Sequence, residues 1–198
     1  MENREKIILA SQSPRRKYLL DQAGIHFTVE PARIEEEKSD KESPVDYVKR
    51  LSREKADCLA EKYPDLWILG ADTVVVMDDH LLEKPASDQE ARNMLALLSN
   101  RIHTVYTGFT LCCQEKNRVI TKTAATDVRF KTLTQEEIEW YVSTKEPFDK
   151  AGAYAIQGLG TFLVKSISGS YTNVVGLPVC EVIETLIQEK VIEINGRR

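Results

Sequence analysis

The segment Ser11–Arg16 brings two hydroxyl groups and two arginines together where a helix is predicted to begin. Ser13 is a favourable N-cap residue, and Pro14 fits the first helical position. The free N–H groups of a first helical turn and the positive end of the helix dipole attract anions. Because the dipole disfavours Arg15 and Arg16 at this end, we expect a phosphate group beside them. A capped helix with solvated charges is the alternative.

One carboxylate, Asp72, lies within the otherwise apolar run Ile68–Val76. Burying an unpaired carboxylate costs a large free energy, so polar residues inside apolar strands are usually paired or functional. In the alternative interpretation, the strand ends near Ala71 and Asp72 only caps a turn. The first interpretation makes Asp72 a candidate catalytic group.

Lys55 lies near the middle of the apolar stripe of the second predicted helix. The other members of this stripe are Val48, Leu51, Ser52 and Leu59. The pattern predicts that Lys55 points inward, although a lysine side chain can also extend from such a position to solvent. An inward ammonium, an inward carboxylate and a helix start suited to phosphate together predict one site for phosphate chemistry.

Three other segments carry residues that suit this chemistry. The acidic run Glu35–Glu37 can share a divalent cation with Asp72, or it is a solvated loop. Lys84 adds a cation after the apolar strand. In Ala151–Gly160, glycines allow a close approach of the backbone to a ligand, and Gln157 offers a donor and an acceptor that can read a base edge.

The elements that must position these residues alternate between strands and helices, which predicts an α/β fold. The predicted strands are Ile7–Ala10, Phe27–Pro31, Trp67–Met77, Thr104–Cys113, Val119–Phe130 and Thr161–Ile167. The predicted helices begin at Ser13, Ser43, Ser87, Thr134 and Pro178. The fourth and fifth strands flank the turn 114–117 and alternate with a period of two, so we expect an antiparallel hairpin and a mixed sheet.

The length of 198 residues suits one domain, residues 1–198. A net charge of −4 argues against a general nucleic-acid or membrane surface. The four cysteines show no metal-ligand spacing, so we expect reduced thiols. Neither a signal peptide nor a membrane span is predicted, and the expected compartment is the cytoplasm.

Five segments resemble, in order, motifs of the Maf family of nucleoside triphosphate pyrophosphatases. They are Ser11–Arg16, Gly70–Val75, Glu83–Pro85, Asp149–Tyr154 and Gly169–Pro178. The resemblance spans nearly the whole chain, and five motifs in one order are far more specific than any one alone. It implies a fold shared with the inosine triphosphate pyrophosphatases, with a long mixed β-sheet flanked by helices in two lobes around a cleft. It also implies a homodimer.

The resemblance also implies roles for individual residues. Asp72 matches the catalytic acid/base of the family, and Glu36, Lys55 and Lys84 match the phosphate and metal end. Residues matching the substrate-binding positions are Ser11, Ser13, Arg15, Arg16, Thr73 and Gln157. Among these, Arg15, Thr73 and Gln157 match the specificity residues of the branch that acts on dTTP and UTP. Many relatives have an aspartate where Glu35 stands, which leaves open which glutamate joins Asp72 at the metal.

The reaction that the resemblance implies is hydrolysis of a nucleoside triphosphate between its α- and β-phosphates. Asp72 would orient or deprotonate the attacking water, and Mg²⁺ or Mn²⁺ would neutralise the phosphates. A P-loop sequence is absent from the chain, which disfavours a kinase or a motor ATPase. The alternative function is a nucleotide-binding regulator of septum formation and cell division that does not depend on turnover.

Overall fold

The computed structural model describes residues 1–35 and 42–194. The chain divides into two compact units. Unit 1 comprises Met1–Asp72, Thr107–Ala124 and Gly176–Arg198, and unit 2 comprises Thr73–Tyr106 and Ala125–Val175. The prediction that residues 1–198 form one domain stays a prediction.

Six α-helices and nine strands lie within the described ranges. The helices are α1 Pro14–Gln22, α2 Pro44–Ala60, α3 Asp88–Leu98, α4 Gln135–Ser143, α5 Tyr171–Val175 and α6 Val179–Gln188. The strands are β1 Glu2–Asn3, β2 Ile7–Leu9, β3 Thr28–Val29, β4 Trp67–Met77, β5 His80–Leu82, β6 Ile102–Cys113, β7 Arg118–Phe130, β8 Val164–Ser168 and β9 Ile192–Glu193. The main sheet has the order β3-β2-β4-β6-β7-β8, with β5 paired to β4, while β1 and β9 pair separately.

The main sheet is mixed, as the sequence predicts. Strand β2 pairs in parallel with β3 and β4, whereas β5 pairs with β4 and β8 with β7 in antiparallel orientation. Strands β6 and β7 are neighbours joined by the four residues 114–117, a connection too short for a parallel pair. The hydroxyls of Thr110 and Thr121 meet at 2.9 Å, and Thr104 binds Asp127 at 2.8 Å, which is the register of an antiparallel hairpin.

In unit 1, helix α2 packs directly against the backbone of the sheet. Gly70 in β4 and Gly108 in β6 permit this approach, because a Cβ atom would lie 2.2 Å from the Ser52 carbonyl oxygen at the first position. At the second it would lie 2.4 Å from the Val48 carbonyl oxygen. The two glycines therefore bring the face of α2 that carries Lys55 against the strands.

Unit 2 has its own apolar core, which α3 and α4 build together with the ends of the long strands. Three buried rings pack edge-on within unit 2, with the ring centres of His103 and Phe130 5.0 Å apart and those of Phe130 and Tyr154 4.7 Å apart. His103 Nε2 also lies 2.7 Å from the Tyr154 hydroxyl, which satisfies two buried polar atoms with one hydrogen bond.

Two predicted strands differ most from the observed ones. The segment Phe27–Pro31 forms only the two-residue β3, and both of its residues are exposed. The predicted strand Thr161–Ile167 starts later, because a 3-10 helix occupies Gly158–Leu163 and β8 follows it. In the segment Gly158–Leu163 the glycines favour tight turns. A strand prediction based on the alternation of apolar residues does not detect such turns.

The predicted helix caps are present at their serine or threonine residues. Thr134 and Glu137 form a complete capping box at the start of α4. At α3, Ser87 accepts a hydrogen bond from the Glu90 N–H, but the Glu90 carboxylate binds the N–H of Ala86. Within residues 1–35 and 42–194, we find no helix with the length and hydropathy needed to cross a membrane.

Candidate active site

The start of helix α1 has the capping geometry that the sequence predicts. Ser13 is the N-cap, its hydroxyl oxygen accepts a hydrogen bond from the Arg16 N–H at 3.4 Å, and Pro14 occupies the first turn. Ser11 adds a second hydroxyl, which accepts a hydrogen bond from the Ser13 N–H at 3.2 Å. The helix ends before Gly24, whose φ of +70° suits the left-handed conformation that follows many helices. The hydroxyls and the first helical turn thus lie together.

The side chain of Arg16 is buried and binds the backbone of two distant segments. Its guanidinium donates hydrogen bonds to the carbonyl oxygens of Ala71 and Gly176, each at 2.8 Å. It also donates to the Ser11 hydroxyl at 3.1 Å. These three acceptors are uncharged oxygen atoms. Arg16 therefore joins α1 to β4 and to the segment before α6, and its predicted contact with substrate stays a prediction.

A buried ion pair lies between α2 and β4. Lys55 Nζ is 2.6 Å from Asp72 Oδ1, and each side chain is 11% exposed. Strand β4 continues through Asp72 to Met77, so Asp72 does not cap a turn at the strand end. The inward direction predicted for Lys55 is confirmed, and the alternative that its side chain reaches solvent is wrong.

Two cations hold the segment around Asp72 from different sides. Arg16 binds the carbonyl of Ala71, and Lys55 binds the carboxylate of the next residue. Gly70 admits α2, and with it Lys55, because any larger residue would clash with the helix backbone. Helix, strand and loop thus fix the position of one carboxylate, which is what a catalytic acid/base requires.

The remaining predicted site residues are divided between the two units. Unit 1 also holds Arg15, which is half-buried. Unit 2 holds half-buried Thr73, which directly follows Asp72 along β4, exposed Lys84 between β5 and α3, and half-buried Gln157.

The predicted metal ligand Glu36 lies outside the described residues. Within residues 1–35 and 42–194, no cluster of three or more histidine, cysteine or acidic side chains is arranged to hold a metal ion. A Mg²⁺ ion that binds with a nucleotide needs only one or two carboxylates, because phosphate oxygens and water complete its coordination. The carboxylate oxygens of Asp72 are ligands of the kind that Mg²⁺ takes.

The structure also shows a polar centre in unit 2 that the sequence did not indicate. The Glu146 carboxylate accepts hydrogen bonds from the Tyr141 hydroxyl and from the N–H groups of Leu159 and Gly160. Burial raises the pKa of Glu146, but the three hydrogen bonds and the nearby Lys150 charge together outweigh it, so this pKa lies below its ordinary value. The closely spaced glycines of Ala151–Gly160 were the available signal that the backbone turns tightly there. Glycines alone do not identify Glu146 as the partner of this backbone.

Comparison with known proteins assigns the chain to a family. The family model described as "Maf-like protein" matches residues 6–189. A protein of Syntrophus aciditrophicus named dTTP/UTP pyrophosphatase is 52% identical over 92% of this chain and 89% of its own length. A Bacillus cereus protein of the same name is 46% identical over 94% of this chain and 91% of its own length. Among solved structures, the Staphylococcus aureus Ham1 protein aligns with a TM-score of 0.44 at 12% identity, covering 81% of this chain and 80% of that one. The family match and these identities show that the chain belongs to the Maf family.

Proposed function

We propose that this protein is a pyrophosphatase that hydrolyses dTTP and UTP to the monophosphate and pyrophosphate. The observation that carries the proposal is the buried pair of Lys55 and Asp72, 2.6 Å apart beside the start of α1. Support for the substrates comes from the relatives at 46% and 52% identity, which are named dTTP/UTP pyrophosphatases. Modified pyrimidine nucleotides belong to the same chemical class of substrate.

The proposed reaction needs one positioned base and several cations. Asp72 accepts a proton from water while the water oxygen forms a bond to the α-phosphorus of the nucleotide. The bond between that phosphorus and the bridging oxygen breaks, and pyrophosphate leaves with the electron pair. Phosphoryl chemistry of this kind depends mainly on positioning and electrostatic stabilisation. Lys55 holds the carboxylate in place and supplies a cation where negative charge accumulates.

The other predicted residues divide between phosphate and base in this proposal. Ser11, Ser13 and Arg15 offer donors at the start of α1, and Lys84 adds a further cation. We assign Thr73 and Gln157 to the base, because thymine and uracil present two carbonyl oxygens flanking an N–H. These assignments rest on the sequence resemblance and on the residue chemistry.

We propose Mg²⁺ or Mn²⁺ as the cofactor, with Asp72 and Glu36 as its protein ligands. Such an ion would neutralise phosphate charge and stabilise the leaving group. The expected observation is loss of turnover in excess EDTA and its return when Mg²⁺ or Mn²⁺ is added. Full activity after removal of divalent cations would contradict the cofactor assignment.

The proposal is tested by phosphate release in an assay coupled to inorganic pyrophosphatase, across dTTP, UTP, dCTP and GTP. We expect the highest kcat/KM values for dTTP and UTP, because cytosine would place like groups opposite the Gln157 amide. A preference for dCTP or GTP would contradict the pyrimidine assignment. Tight nucleotide binding without turnover would instead support a regulator of septum formation.

We further propose a homodimer that acts in the cytoplasm, where nucleoside triphosphates are made and used. The homodimer is what the resemblance to the Maf family implies. Sedimentation velocity at micromolar concentration is expected to show a species of twice the chain mass. A single species of the chain mass would contradict the homodimer.

A further inference from the structure

The segment Ala155–Gly160, here called the Gln157 loop, is held by hydrogen bonds to two side chains that precede it in the sequence of unit 2. On the amino-terminal side of Gln157, the Tyr141 hydroxyl oxygen accepts a hydrogen bond from the Ala155 N–H at 3.1 Å. The same hydroxyl donates a hydrogen bond to Glu146 at 2.9 Å. Tyr141 is fully buried, so its hydroxyl is a fixed point for the start of the loop.

Glu146 binds the backbone of the Gln157 loop on the carboxyl-terminal side of Gln157. Its carboxylate accepts hydrogen bonds from the N–H groups of Leu159 at 3.0 Å and Gly160 at 2.9 Å. Backbone anchors therefore lie two residues before Gln157 and two and three residues after it. The side chain of Gln157 projects from a backbone that has little freedom to move.

The glycines of the Gln157 loop fit closely around these anchors. Gly158 has a φ of +70°, and a Cβ atom there would lie 2.7 Å from Glu146 Oε2. A Cβ atom on Gly160 would lie 2.6 Å from the Tyr141 hydroxyl oxygen and 2.4 Å from the Ala155 carbonyl oxygen. The loop can thus approach Glu146 and Tyr141 only because it carries no side chains at these two positions.

We propose that Glu146 and Tyr141 are positioning residues for pyrimidine recognition, because they hold the backbone on both sides of Gln157. This inference rests on the proposed function, in which Gln157 reads the base. The Gln157 amide must form hydrogen bonds to a carbonyl and to an N–H of the base at the same time. It therefore discriminates between bases only while its orientation is fixed. When the loop loosens, the amide can turn or withdraw, and cytosine is then rejected less strongly.

The first test is Glu146→Gln, assayed with dTTP and dCTP. The new amide presents an NH₂ group where the carboxylate presented an acceptor, so at least one partner donor loses its bond. We expect the kcat/KM preference for dTTP over dCTP to fall about fivefold or more, the loss that one unsatisfied donor implies. KM for dTTP rises by a similar factor, while kcat stays within about twofold because Asp72 and Lys55 are untouched.

Glu139→Gln is the matched control for this change. Glu139 is another carboxylate of unit 2, and it binds Arg92 rather than the Gln157 loop. We expect its dTTP preference to equal that of the native protein. Tyr141→Phe is the second variant, since it removes the acceptor of the Ala155 N–H and one donor to Glu146 while it keeps the buried ring. It is expected to lower the preference in the same direction.

A double-mutant cycle separates positioning from a general structural effect. In a Gln157→Ala background, Glu146→Gln is expected to cause no further loss of preference, because the residue through which it acts is gone. An equal loss with and without Gln157 overturns the inference, and so does an unchanged preference in both Glu146→Gln and Tyr141→Phe. A native protein that hydrolyses neither dTTP nor UTP instead overturns the proposed function.

Discussion

The Lys55–Asp72 pair and the Gln157 loop are held in place by different means. The ion pair lies between a 17-residue helix and an 11-residue strand, and a tight contact at Gly70 holds the two elements together. The Gln157 loop is irregular backbone, and its position depends on hydrogen bonds to one carboxylate and one hydroxyl. The proposed catalytic carboxylate is therefore placed by regular packing, and the proposed base-reading amide by a few polar contacts.

This difference has an energetic consequence. Removing one partner of a buried ion pair leaves an uncompensated charge and destabilises the fold, typically by several kcal/mol. Loosening a loop that three N–H groups anchor costs about 1 kcal/mol for each hydrogen bond lost. We therefore expect substitutions at the ion pair to reduce both turnover and stability, and substitutions around the Gln157 loop to alter selectivity with the fold retained.

Asp72→Asn is expected to have the largest effect on activity. The amide cannot accept a proton from water, so we expect kcat to fall by at least about a hundredfold, the scale of a positioned acid/base. The measurement is kcat for dTTP, with circular dichroism to establish that the variant is folded. Near-normal turnover in folded Asp72→Asn would contradict the catalytic assignment and the contrast between the two regions.

Lys55→Ala is expected to combine a loss of activity with the largest loss of stability. It leaves the Asp72 carboxylate buried without its ammonium partner, so we expect unfolding to become easier by about 4 kcal/mol. Urea denaturation of the native protein, of Lys55→Ala and of Lys55→Ala with Asp72→Asn measures this directly. The double variant should recover part of the loss, because the unpaired charge is gone. Equal stability in all three proteins would show that the pair contributes little to the fold.

The inward positions of Lys55 and Asp72 could be predicted from the sequence because both residues interrupt regular patterns, whereas their direct pairing is seen only in the structure. Lys55 stands within the apolar stripe of a helix and Asp72 within an apolar strand, and a charged group in either place needs a partner. The run Trp67–Met77 was predicted with the observed bounds because it is largely apolar. Periodicity predicts which face of an element a residue occupies, but it does not identify the partner of a buried charge.

The anchors of the Gln157 loop could not be predicted in this way. Glu146 binds backbone N–H groups 13 and 14 residues away, and every residue except proline carries such a donor. The sequence around Glu146 therefore contains no sign of its partners. Arg16 shows the same limit, since its bonds to the Ala71 and Gly176 carbonyls depend on the fold and not on residue types.

Gly70→Ala tests whether regular packing places the ion pair. The new Cβ atom would lie 2.2 Å from the Ser52 carbonyl oxygen, and because that oxygen belongs to the backbone, α2 must move. We expect a loss of about 3 kcal/mol in the free energy of unfolding. Activity should fall as well, because Lys55 moves with the helix. Gly24→Ala is the control, since nothing lies within 4 Å of a Cβ atom there, although its φ of +70° adds backbone strain.

The smallest expected effect is a pH dependence of stability that belongs to unit 2 alone. Burial lowers the pKa of His103 to about 4, and the nearby Asp127 carboxylate only partly opposes this. The unfolded chain, with a histidine pKa of about 6.5, therefore binds a proton that the folded protein refuses between these two values. The stability contributed by neutral His103 is complete above the unfolded pKa and is lost as pH falls toward the folded pKa.

Between pH 7 and pH 5 the loss from this one group amounts to about 2 kcal/mol. Comparing urea denaturation of the native protein with that of His103→Phe at both pH values isolates it. The phenyl ring leaves the Tyr154 hydroxyl without its His103 partner, but this cost is the same at both pH values and cancels. We expect the native protein to lose more stability than the variant by that amount. Equal losses would mean that the folded protein protonates His103 as readily as the unfolded chain does. The core of unit 2 would then hold a buried imidazolium, whereas the Lys55 ammonium of unit 1 is paired with a carboxylate.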